Sequence, residues 1–195
     1  MKQLPLKFYQ RDTKKVAREL LGKRLCHFKN GRLTSGIIIE TEAYLGLRDL
    51  ACHSFGGRRT ARVETMYLPG GHAYVYMIYG IHFCFNVVTQ NPHKPEAVLI
   101  RALWPVEGIE LMRKRRGIDD EKRLCSGPGK LCEALGIKKE IDGNLLRGPQ
   151  IWIQEDYSYA KLKRRIIKRP RVGIDYAGEA KHWPLRFSIN TDDLK

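Results

Sequence analysis

Arg24-Leu25-Cys26-His27-Phe28-Lys29-Asn30-Gly31-Arg32-Leu33-Thr34-Ser35-Gly36-Ile37-Ile38-Ile39-Glu40-Thr41-Glu42-Ala43-Tyr44 is the stretch that decides the fold. Asn30-Gly31 suits a type I′ turn, in which both central residues take positive φ, so strands are expected at Arg24 to Phe28 and Leu33 to Thr41. Side chains alternate along a strand. From Ile37 to Tyr44 that period places Ile38, Glu40, Glu42 and Tyr44 on one face, and Ile37, Ile39, Thr41 and Ala43 on the other. One face therefore turns from apolar to acidic, as expected of a strand that leaves a core and enters a cleft. A glutamate in a cleft can accept a proton from water. On so basic a chain it can equally form a salt bridge, and spacing alone does not choose between the two.

Upstream, Asp12 is placed to cap a helix carrying Val16, Leu20 and Leu21 on one face, with Gly22 at the C′ position. Downstream, Arg48 to Pro69 contains Gly56-Gly57 and the basic residues Arg58, Arg59 and Arg62 without clear periodicity, and reads mostly as loop. Ala73 to Val88 is rich in aromatic and β-branched residues interrupted by Tyr79-Gly80, the pattern of a second hairpin with a tyrosine at its tip. A short strand is expected at Val98 to Leu103, and a helix opened by Pro105 runs to Arg116, closed by Gly117. A further helix follows Gly127-Pro128-Gly129-Lys130, with Ser126 as its cap and Gly136 as its terminator. Later strands are expected at Ile151 to Gln154, Arg171 to Ile174 and Leu185 to Ile189. Between them, Lys161 to Arg171 holds seven basic residues and no acid. Hairpin-joined strands with inserted helices predict an α+β fold, a single domain over residues 1–195 with a mainly antiparallel sheet and a protruding hairpin.

The charge balance is the main compositional signal. Lys and Arg number 36 against 21 Asp and Glu, a formal charge of +15 on 195 residues. A chain of this length buries roughly 70% of its unfolded surface, so it needs no disulfide or metal to fold. With 43% hydrophobic and 29% charged residues it has the usage of a globular protein, which excludes disordered and collagen-like classes. No apolar stretch approaches the ~20 residues of a membrane span, and Met1 to Arg11 is too polar for a signal peptide, so a cytoplasmic location is expected. The five cysteines contain no Cys-x-x-Cys pair and read as reduced thiols. The excess of cations favours a polyanionic partner such as nucleic acid, while solubility alone also accounts for it.

Three constellations could carry chemistry. Gly127-Pro128-Gly129-Lys130 would aim backbone N–H groups and a lysine at a phosphate, but Leu131 follows the lysine and the spacing is not that of a nucleotide-hydrolysing loop. The six histidines form no metal-ligand spacing, so no metal is expected. Tyr74, Tyr76 and Tyr79 either pack in a core or present an aromatic tip that can stack on bases; taken alone, the pattern favours the core.

These residues stand in an order that is familiar as a whole. Glu40-Thr41-Glu42-Ala43-Tyr44-Leu45-Gly46, Ala51-Cys52-His53-Ser54, Tyr74-Val75-Tyr76 with Tyr79-Gly80, Phe83-Cys84-Phe85-Asn86 and Leu99-Ile100-Arg101-Ala102-Leu103 resemble the alkyladenine (3-methyladenine) DNA glycosylase family. Leu124 to Cys132, Pro170-Arg171-Val172-Gly173, Ala177-Gly178-Glu179 and Pro184-Leu185-Arg186-Phe187 extend the resemblance over nearly the whole chain. It implies a curved sheet with surrounding helices. It also implies an enzyme that flips alkylated or deaminated purines out of duplex DNA and hydrolyses the N-glycosidic bond, leaving an abasic site, with no cofactor and no covalent intermediate.

On that resemblance Glu42 is the general base, Arg101 lies beside the attacking water, and the Val172 carbonyl is the water's third partner. Tyr44, His53, Tyr76 and Asn86 form the base pocket. Tyr79 is the wedge that fills the vacated space, Ile81 and His82 meet the groove, and Arg58, Arg62 and Lys130 contact DNA. Ile81-His82 departs from animal members, as does the short N-terminal region, so a bacterial-type enzyme is expected, monomeric and associated with the nucleoid. Two other readings compete with it: a non-catalytic damaged-DNA-binding module, which has no use for an acid facing a phosphate-rich ligand, and a metal-dependent nuclease, for which ligand clusters are missing.

Overall fold

β1 (Arg24–Lys29) and β2 (Arg32–Tyr44) pair antiparallel around Asn30 and Gly31, whose φ values of 51° and 72° are those of the expected primed turn. The structure, a computed structural model, describes residues 2–156 and 166–190. β2 is long enough to serve several neighbours. One of its edges passes from β1 to β8 (Arg186–Ser188), which pairs with Glu40 through Glu42; the other takes β5 (Glu96–Glu107) from Ser35 to Tyr44. β5 hands on to β4 (His82–Thr89) and β4 to β3 (Ala73–Ile78), while β6 (Ile151–Gln154) joins β1 and β7 (Ile167–Arg169) joins β8. Every pairing between these strands is antiparallel, and the curved sheet with its packed helices is the α+β fold that the sequence predicts.

The simple alternation read for β2 is interrupted. Ile38 pairs with Leu103, Glu40 with Ala102 and Thr41 with Ile100, so Ile39 and Arg101 fall outside the one-to-one ladder. Such an irregularity re-aims the residues that follow it. Ile38 consequently joins the main core with Ala43, rather than sharing a face with Glu42, and the Thr41 hydroxyl donates to the Ala17 carbonyl at 2.9 Å. Glu40 and Glu42 turn the other way, both toward Arg101.

α1 (Leu6–Tyr9) and α2 (Thr13–Leu20) cover the sheet, with Asp12 accepting the Lys15 N–H at 2.9 Å and Gly22 at φ 78° as expected. α3 (Ile109–Arg116), α4 (Glu121–Leu124) and α5 (Pro128–Leu135) pack together, and α5 lies against β4. All five cysteines are buried free thiols, Cys125 and Cys132 among the main core residues. Two smaller apolar clusters flank the cleft described below, and Tyr44 packs against both. Among the described residues no helix is long and apolar enough to cross a membrane.

Three expectations are corrected. Pro105 opens no helix: it pairs with Gly36 inside β5, at a register shift where a residue without an N–H is tolerated, and α3 starts only after Gly108. Ser126 caps nothing, because Gly127 holds the N-cap position and the Ser126 hydroxyl donates to the Arg123 carbonyl. Arg171 to Ile174 is not a strand; the strand lies earlier, at β7, and Arg171 is drawn inward by a buried acid. Of the basic run, Lys161 to Arg165 lies outside the described residues.

Gly108 has φ 74°, and a Cβ there would lie 2.5 Å from the Leu33 carbonyl oxygen, whereas Gly31 at φ 72° has nothing within 4 Å. Urea unfolding should therefore show Gly108→Ala losing about 2–4 kcal/mol, left-handed strain plus overpacking, against about 1–2 for Gly31→Ala. Equal losses would contradict the close approach of Gly108 to β2.

Candidate active site

Glu42 has no solvent exposure, and its carboxylate is held from three directions. The Val172 backbone N–H donates to Oε1 at 2.8 Å, an Arg101 guanidinium nitrogen lies 3.4 Å from the same oxygen, and the Tyr44 hydroxyl donates to Oε2 at 2.9 Å. Burial pushes the Glu42 carboxyl above its ordinary value. Arg101, the Val172 N–H, the Tyr44 hydroxyl and Arg171 oppose the shift without reversing it. Glu40 has the other fate open to it, bridging Arg101 at 3.3 Å and Arg186 at 3.1 Å. Arg101, displaced from the regular ladder, thus stands between two acids.

Tyr44, Arg101 and Val172 line a cleft of about 750 Å³, and Glu42, which is not itself part of the lining, lies behind them through the contacts just given. His53, Tyr76 and Asn86 also line it. The His53 and Tyr76 rings meet edge to face at 4.6 Å, and His53 Nδ1 lies 2.9 Å from the Tyr74 hydroxyl. Asn86 donates through Nδ2 to the Tyr74 carbonyl at 3.1 Å, across the β3–β4 register pair. Guanidinium groups lie over two tyrosine rings, Arg62 at 5.1 Å from Tyr76 and Arg171 at 4.7 Å from Tyr44. Burial, reinforced by Arg62 and Arg58, lowers the His53 pKa to about 4.

At the mouth, Tyr79 and Gly80 turn between β3 and β4 with φ of 51° and 71°, and Tyr79 is 88% exposed. A tyrosine in left-handed geometry at an exposed tip is uncommon, and its ring cannot fold back onto its own hairpin. The expectation of core-packed tyrosines holds for Tyr74 but not for Tyr79. Arg62 lines the cleft and donates to the Met77 carbonyl at 3.0 Å. Ile81, His82, Arg58 and Lys130 are exposed outside its lining, with His82 packed against Gly129 at the start of α5.

The model of the methylpurine-DNA glycosylase family matches residues 7–193. The chain belongs to this family. The methylpurine-DNA glycosylase match is accompanied by relatives that carry the name "Putative 3-methyladenine DNA glycosylase". One, from Desulfitobacterium hafniense, is 48% identical over 97% of this chain and 96% of its own. Another, from Clostridium acetobutylicum, is 49% identical over 93% and 91%. A third, from Bdellovibrio bacteriovorus, is 51% identical over 95% and 94%.

Sequence reasoning missed two features of this methylpurine-DNA glycosylase family cleft. Asp49 and Arg171 form a fully buried ion pair beside Val172. Tyr176 lines the cleft and is 68% exposed. Arg171 reads as one cation of a basic run and as part of the block Pro170-Arg171-Val172-Gly173, and neither reading gives it a buried partner.

His53 should remain neutral throughout the physiological range. An NMR titration of its imidazole is expected to give a midpoint close to pH 4, the sign following from burial and two nearby cations disfavouring the charged form. A midpoint near 6.5 would mean a solvated ring that is not packed into the cleft wall.

Proposed function

We propose that this protein is a monofunctional DNA glycosylase that excises alkylated and deaminated purines from double-stranded DNA, 3-methyladenine, 7-methylguanine, hypoxanthine and ethenoadenine among them. It acts as a single domain over residues 1–195, as a monomer at the bacterial nucleoid. The observation that carries this reading is Glu42, a buried carboxylate behind the lining of a cleft walled by aromatic side chains. The net charge of +15 and the names of the relatives support it.

In this reading Tyr79 fills the space left when the damaged nucleotide is flipped, and the base lodges among Tyr44, His53 and Tyr76. Glu42 takes a proton from a water held by Arg101 and the Val172 carbonyl. The water oxygen bonds to the sugar C1′ while the C1′–N9 bond breaks and its electron pair leaves with the purine. The carboxylate also stabilises the positive charge that develops on the sugar. A cationic methylpurine leaves readily; a neutral lesion needs a proton as it departs. Asn86 crowds the 2-amino group of normal guanine, so discrimination there is repulsive. Ile81 and His82 meet the groove, while Arg58, Arg62 and Lys130 neutralise phosphates.

Single-turnover excision from a duplex carrying one hypoxanthine or ethenoadenine, in EDTA, tests the reading. Strand breaks are expected only after alkali. Glu42→Gln should keep lesion binding and lose on the order of 10²–10⁴-fold in rate, the usual scale of a general base. Binding by wild type without excision, repeated on methylated DNA, would instead indicate a damage-binding module. Because Glu42 must be ionised and burial raises its pKa, the acid limb of the pH–rate profile should lie above the ordinary carboxylate range and disappear in Glu42→Gln. Tyr79→Ala should weaken binding and flipping while leaving discrimination between bases unchanged; wild-type affinity and rate would remove Tyr79 as the wedge.

A further inference from the structure

We infer that Asp49 and Arg171 are positioning residues of this site, a buried ion pair that holds the Val172 N–H on Glu42 and fixes the ring of Tyr44; the inference rests on the glycosylase reading above. The two side chains are fully buried and meet in a fork, Arg171 Nη1 to Asp49 Oδ2 at 2.5 Å and Nη2 to Oδ1 at 2.8 Å. The guanidinium also donates to the Ala43 carbonyl at 3.0 Å and the Ala180 carbonyl at 3.3 Å. Asp49 accepts the backbone N–H groups of Leu45 at 2.9 Å and Ala51 at 3.1 Å. The pair therefore grips the backbone on both sides of Tyr44, while the guanidinium lies over that ring and the next peptide unit supplies the N–H to Glu42.

A buried ion pair is a poor device for stability alone, since well-packed apolar residues of the same volume often serve as well or better. What apolar residues cannot do is fix direction. A planar fork sets the plane and reach of its partners, and an ammonium or a methylene chain does not. Arg171 Nε is buried with no hydrogen-bond partner among the described residues, so the side chain is placed by its forked end at the expense of its own satisfaction.

The groups facing Glu42 are Arg101 from β5, Tyr44 from β2, Cys84 from β4 and Arg171 from the segment after β7, with Glu40 acting through Arg101. Loss of Arg171 removes a nearby cation and frees the Val172 N–H. Both changes favour the protonated carboxyl.

The test compares wild type, Arg171→Lys and the double variant Asp49→Asn with Arg171→Gln, which leaves no unpaired buried charge. Each is measured for lesion-duplex affinity and for single-turnover excision from pH 4 to 9. The double variant is expected to lose about 100-fold in rate, the scale of a roughly 1 Å misplacement at a reacting centre, with a smaller loss of affinity through the loosened Tyr44 ring. Its acid limb should move up by about one pH unit. Arg171→Lys keeps the charge without the fork, so its limb should move up less than that of the double variant while the rate falls about tenfold. A folded double variant with wild-type rate and acid limb overturns the inference. If the double variant does not fold, a wild-type rate in Arg171→Lys overturns it. A wild-type chain that binds lesion DNA without excising it overturns the glycosylase reading itself, a result that no variant is needed to obtain.

Discussion

A carboxylate without solvent must be held by its neighbours, and the rest of this structure follows from how Glu42 is held. Its three partners come from separate stretches of chain: Tyr44 from the same strand, Arg101 from β5 and the Val172 N–H from the segment after β7. Isolating an ionised carboxyl in a protein interior is costly, and groups already oriented toward it offset that cost without having to reorganise. The sheet is what orients them. β2 runs between β5 on one edge and β8 on the other, so the acid sits where contributions from both sides of the chain converge.

Much of this scaffold could be read locally. Asn30-Gly31, the Asp12 cap and Gly136 act through φ values and hydrogen bonds within a few residues, and each does in the fold what it does in isolation. Pro105, Ser126 and Arg171 were misread for the opposite reason. Pro105 has the φ of a helix start, but a sheet edge with an irregular register took it first. Ser126 lost its cap position to Gly127, whose φ of 152° no other residue adopts easily. Arg171 was expected to begin a strand, but the buried acid Asp49, more than a hundred residues earlier, draws its side chain inward.

The candidate site shows the same division. Spacing put Glu40 and Glu42 on one face and stopped there, since a cleft acid and a salt bridge look alike in one dimension. In the fold both acids meet Arg101, but Glu40 stays partly exposed and also bridges Arg186, whereas Glu42 is fully buried and takes the Val172 N–H and the Tyr44 hydroxyl as its other partners. His53, Asn86 and Arg101 came into view only through the ordered blocks of the family, because no local pattern distinguishes them from packing residues. Asp49 and Tyr176 lie between those blocks and were passed over.

The β3–β4 hairpin can also be regarded as a mechanical part. β4 is fastened to β5 only from Asn86 to Thr89, while its ladder with β3 continues outward to Ile78 and His82. The outer half is held from its sides instead, by α5 against β4, by Arg62 on the Met77 carbonyl and by Asp142 on the Val75 N–H, and it ends in the exposed Tyr79. Its root is the Tyr74–Asn86 pair, which is also part of the cleft wall. The tyrosine tip and the cleft wall thus stand on one ladder, and the Tyr74–Asn86 pair is a footing that both share.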